Sequence, residues 1–167
     1  MTDVILSAAL ETLRDLLQRF GYRAEIVADD RGQALVRSAT SGMTFDIRAG
    51  NRLVDQPAQF LDVSFVALLK VEGELPLAVV NEWNNLRRFG RLHLSQGFLA
   101  LDMDVAFAGG VAVDHLRAAI AVWDQLLQGL IAYLRAELPR LAAGDGAAAP
   151  TAVAAESGPA PIAAPLN

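Results

Sequence analysis

The sequence predicts an α+β fold, a mainly antiparallel sheet with helices packed on it, in the order α-β-β-β-β-α-β-β-α. Three observations lead there. The first twenty residues carry apolar side chains at helical spacing, and the next fifty break into short alternating runs separated by turn residues. Around Asn81–Arg91 a short helix gives way to a two-stranded hairpin, which leads into a long apolar-striped helix.

The chain has 167 residues, enough for one domain, and 53% of them are apolar, which supports a sizeable core. The net charge of −5 gives no electrostatic reason to expect nucleic acid. Cysteine is absent, so disulfides, thiolate metal sites and a cysteine nucleophile are excluded. The first residues lack the positive start of a signal peptide, and the apolar stretch from Leu116 to Leu134 carries Arg117, Asp124, Gln125 and Gln128. A soluble, cytoplasmic protein with no membrane span is the expectation.

Residues 3–20 read as a helix whose buried stripe is Leu6, Leu10, Leu13, Leu17 and Phe20, with Asp3 as N-cap and Gly21 as the stop. Strands follow at Tyr22–Ala28, Ala34–Ala39 and Met43–Ala49, with Asp29-Asp30-Arg31-Gly32 and Ser41-Gly42 as turns. The fourth strand, Phe60–Val71, has Val66 and Leu68 opposite its main apolar face, which places it centrally in the sheet. Pro76 suits the first position of a second helix that runs to about Arg88 and ends at Gly90. Gln96-Gly97 fits a two-residue hairpin loop, which pairs Arg91 with Asp102. The last helix, from Val113 to about Leu138 with Pro139 as its end, carries a core stripe of Leu116, Ile120, Trp123, Leu127, Leu130 and Leu134. A second stripe of Ala119, Val122, Leu126 and Tyr133 exceeds what one sheet face needs. From Ala142 to Asn167 the Ala-, Pro- and Gly-rich composition reads as a disordered tail, leaving residues 1–141 as the domain.

The segments Asn81-Glu82-Trp83-Asn84, Arg88-Phe89-Gly90-Arg91, Met103-Asp104 and Gly109-Gly110-Val111, in this order of elements, resemble the YbjN family of bacterial sensory transduction regulators. The resemblance spans roughly residues 5–135. It implies a type III secretion chaperone-like architecture, with helices on a curved sheet, often dimeric, and implies no established biochemical activity. One departure is Ala112, where family members often carry a capping Ser or Thr; here the role passes to Asp114 or is left to the helix dipole.

No catalytic constellation is present, so an enzyme is not expected. Asn81, Asn84 and Arg88 fall at i, i+3 and i+7 and would share one helix face, either as a polar ligand pocket or as bonds to a neighbouring loop. His93, Asp102 and Asp104 share a strand face, but Arg91 is placed to neutralise Asp102, so neither a metal nor another cofactor is expected. Val122, Leu126 and Tyr133, with Val66 and Leu68, are the candidate partner-binding residues, and a homodimer is the expected use of the second stripe. The function that fits is a non-catalytic protein-binding module, chaperone-like or regulatory. The alternative is a small-ligand sensor domain using the polar face of the middle helix.

Overall fold

The computed structural model describes residues 4–71 and 74–142. Six antiparallel strands form the main sheet: β2 (Ala24–Ala28), β3 (Ala34–Thr40), β4 (Met43–Ala49), β5 (Asp62–Lys70), β6 (Arg91–Ser95) and β7 (Phe98–Ala106). Their order across the sheet is β2-β3-β4-β5-β7-β6. The expected α+β class and mainly antiparallel sheet are therefore present, and β5 is interior, flanked by β4 and β7. The last hairpin has the expected register, with Arg91 opposite Asp102. Its loop residues Gln96 and Gly97 both take positive φ, 50° and 82°, as a tight hairpin turn requires.

One face of the sheet carries the core. Among the described residues three helices accompany the sheet: α1 (Leu10–Arg19), α2 (Leu77–Leu86) and α3 (Val113–Ala142). Leu13 and Leu17 of α1, and Leu116, Ile120, Trp123, Leu127 and Leu130 of α3, are buried against Val36, Phe45, Ile47 and Phe65 of the strands. Trp123 meets Phe45 and Phe65 with ring centroids 5.7 Å away in each case. Arg117 of α3 lies over the Phe20 ring, joining this helix to the end of α1.

The opposite sheet face is held by charge. Arg37 pairs with Asp46 at 2.8 Å across β3 and β4, and Arg48 reaches both Asp46 and Asp29. Asp29 organises the β2–β3 turn by accepting the backbone N–H groups of Gln33 and Arg31. These bonds, led by that from Gln33 and joined by the Arg48 guanidinium, hold its carboxyl below the ordinary carboxylate range. A depressed folded pKa stabilises the fold above the unfolded value of about 3.9, and the contribution fades as pH falls through the folded one. Asp29→Asn should therefore melt below the wild-type chain at neutral pH. The gap should close in acid, and melting curves across pH check it. A gap of constant size would show that the charge contributes nothing.

Several expected boundaries shift, for physical reasons. α1 starts at Leu10 with Ala9 as N-cap, and Asp3, the expected cap, lies outside the described residues. Residues before Leu10 are drawn into sheet pairing instead. Ala8 exchanges both backbone hydrogen bonds with Phe60, and Val4–Ile5 (β1) pairs with Val111–Ala112 (β8). Leu6 is consequently 63% exposed rather than part of the buried stripe. Gly110 makes this approach possible. Its φ is 92°, and a Cβ there would come within 3.0 Å of Leu6 and Val4.

Pro76 is the N-cap of α2 rather than its first helical residue. α3 runs through Pro139 to Ala142, and Asp114 sits in its first turn, where a carboxylate favours the helix dipole. The tail expected over 142–167 lies, from residue 143 on, outside the described residues. No helix among the described residues is long and apolar enough to cross a membrane.

Candidate partner-binding site

The motif segments of the sequence converge where α2 ends against α3. The helix stops at Leu86, two residues short of the expected end. Arg87 turns extended (φ −119°, ψ 143°) after its N–H closes the last bond to the Trp83 carbonyl. Phe89 then takes φ 71°, a left-handed conformation rare for an aromatic residue, and its ring is 69% exposed. Gly90 does not terminate the helix by adopting positive φ. It is buried, and a Cβ there would lie 3.0 Å from Leu126 and 3.2 Å from Leu101. Its bare backbone lets the α2–β6 connection press onto α3.

The exposed Phe89 ring divides two grooves. One, of about 450 Å³, has Trp83, Val122, Leu126 and Gly129 among its lining residues, with Arg87 and Arg88 at its border. The other, of about 470 Å³, is strongly apolar and includes Met103, Val105, Val111, Ala119 and Val122. Val122 lines both. Left-handed backbone at a bulky exposed side chain, beside two open grooves, is the pattern of a binding surface rather than of a core.

The expected partner-binding residues divide accordingly. Val122 is half-buried and open to the grooves. Leu126 is only 7% exposed, packed against Gly90. Tyr133 stacks on Trp83 with centroids 5.5 Å apart and donates its hydroxyl to the Val79 carbonyl at 2.7 Å. Burial, with Glu82 and Glu137 nearby, pushes that hydroxyl above the ordinary tyrosine range. The premise of an open second stripe is thus corrected for these two residues, because α2 covers them. Val66 and Leu68 lie elsewhere, on the charged sheet face, where Leu68 is 50% exposed and Val66 half-buried.

The expected polar face of α2 is also corrected. Arg88 lies beyond the helix end and stacks over Phe89 at 5.2 Å, so it cannot share a face with Asn81 and Asn84. Asn81 is exposed. Asn84 donates its amide to the Leu92 carbonyl and accepts the Leu92 N–H, both at 2.9 Å, so its amide substitutes for a neighbouring strand at the sheet edge.

The His93, Asp102 and Asp104 group is spread over the far sheet face. Asp102 is 8% exposed and pairs with Arg91, while His93 Nδ1 lies 3.0 Å from its other oxygen, out of line for a hydrogen bond. Asp104 is exposed. Among the described residues no group of three His, Cys, Asp or Glu side chains is placed to hold a metal ion.

Phe89 was not legible as a site residue. The one signal was an aromatic lodged between Arg88 and Gly90, which a reading of Gly90 as a simple helix stop absorbs.

A family model described as "YbjN: Putative bacterial sensory transduction regulator" matches residues 9–136. Among solved structures, the chain is similar to the crystal structure of YbjN from E. coli, described as "a putative transcription regulator", with a TM-score of 0.62 and 13% identity. The match covers 81% of this chain and 96% of that one, and it shows a shared fold. No curated protein matches the chain.

Proposed function

The chain belongs to the YbjN family, and from that premise we propose that it is a non-catalytic, chaperone-like or regulatory protein-binding module of the cytoplasm whose partner seat is the pair of grooves around Phe89. The observation that carries this is Phe89 itself. A 69% exposed ring held at φ 71° costs free energy that the fold does not need. All four segments that carry the family resemblance contribute to the groove walls: Trp83, Arg88-Phe89, Met103-Asp104 and Val111 are all there. A hot spot of this kind, an aromatic flanked by apolar depressions, is how interfaces concentrate affinity.

A photo-crosslinking amino acid at Phe89 or Ala118, introduced into chains expressed in bacteria, should give protein adducts. The same group at Glu25, on the far edge strand, should give none. Equal labelling from all three positions, or none from the first two, would remove the groove as the seat.

The small-ligand alternative has less to stand on, because the Asn84 amide is spent on Leu92 and Arg88 is off the helix. A homodimer remains part of the proposal but must use a face other than Leu126 and Tyr133. The sheet face bearing Val66 and Leu68 is available to it.

A further inference from the structure

Resting on that reading, we infer that the segment seated here is an acidic peptide with an apolar anchor. The anchor enters the groove floored by Trp83, Val122, Leu126 and Gly129, and its carboxylates meet Arg87 and Arg88. The chain is acidic overall, at −5, yet Arg87, Arg88 and Arg91 crowd this one connection. Arg91 is committed to Asp102. Arg87 and Arg88 line the groove and form no ion pair among the described residues, so no carboxylate of the fold neutralises them there.

Each of the two has its guanidinium carbon over an aromatic ring, Arg87 at 5.4 Å from the Trp83 centroid and Arg88 at 5.2 Å from that of Phe89, as Arg52 and Arg117 do over Phe60 and Phe20. A cation–π contact restrains a guanidinium without using its N–H groups, which remain the fork that matches a carboxylate. Ordering costs on binding are thereby reduced. The anion requirement follows from two free, held cations at the rim of an apolar cleft.

Gly129 adds an independent indication. Glycine weakens a helix interior, and this one is in the middle of α3. A Cβ at this position would meet only Trp83, at an ordinary 3.7 Å, so packing of the fold does not demand glycine. What the missing side chain does provide is depth in the groove floor.

The test is fluorescence anisotropy with a fluorescein-labelled peptide of glutamates around two leucines, beside the same peptide with lysine for every glutamate. The glutamate peptide should bind at micromolar concentration and weaken with salt, and the lysine peptide should bind at least about tenfold more weakly. Arg87→Glu with Arg88→Glu should abolish binding, and Gly129→Leu should do the same by filling the floor. Melting temperatures of both variants check that the fold is retained, and the two arginines are exposed.

Equal binding of the two peptides, no binding of either, or binding indifferent to the arginine reversals would each overturn the inference. So would a concentration-dependent dimer that the same reversals dissolve, since the occupant would then be a second copy. Crosslinks at Phe89 that persist while the glutamate peptide fails would leave the protein-binding reading standing and remove only the acidic chemistry.

Discussion

Trp123→Ala is expected to destabilise the fold by roughly 3–5 kcal/mol, the usual loss for a buried aromatic cut to a methyl. The indole is fully buried. It stands edge-on to Phe45 at an interplanar angle of 62° and tilted against Phe65 at 51°. These three rings, one each from α3, β4 and β5, are where the long helix seats on the sheet. The Trp123 indole N–H has no hydrogen-bond partner among the described residues. Its removal therefore leaves no acceptor stranded, and the cost is packing and cavity alone. Urea unfolding should show a lower midpoint with an unchanged slope. A loss below about 1 kcal/mol would mean that the surrounding side chains collapse into the space far better than cores of this kind do.

Leu126→Glu should be about as damaging, at roughly 3 kcal/mol, because it removes a buried leucine and puts a carboxylate into the apolar contact with Gly90 and Leu101. Leu126 touches the place where Gly90 has no side chain, next to Leu101. Neither neighbour can hydrogen-bond to a new charge through a side chain. Light scattering should give the same mass for the variant and the parent, while thermal unfolding falls by many degrees. A halved mass with stability intact would instead place Leu126 in an interface between copies.

Leu126 also marks how far the sequence could be read. Two apolar stripes on α3 were legible from spacing alone, but the helix that covers the second was not. At Tyr133 the cover comes from α2, through Trp83 and Val79. Periodicity says that a face is buried and is silent on what buries it. The hairpin register was legible because Gln96-Gly97 admits one two-residue turn, and counting outward from it leaves no freedom.

Boundaries were harder. Leu6 falls in phase with the α1 stripe, yet backbone pairing of Ala8 with Phe60 competes successfully with another helical turn. A two-residue strand such as β1 has no period to detect. The candidate site was least legible of all. It depends on a left-handed backbone at Phe89, where no glycine or asparagine advertises it, and on a helix ending before its expected stop.

The pairing of Val4–Ile5 with Val111–Ala112 has a consequence in time as well as in space. During synthesis the segment before α1 emerges ahead of the main sheet, and its partner strand follows only after all six strands of that sheet have been made. The early segment must wait, unpaired, through the whole elongation of the sheet. Contacts this distant along the chain close late and slowly, because the entropy of joining them is lost before their bonds form. The clasp is thus a completion signal. It can lock only on a chain that has already delivered β7 and the Gly109-Gly110 bend, and when it locks it holds the entry of α3 in register with the rest.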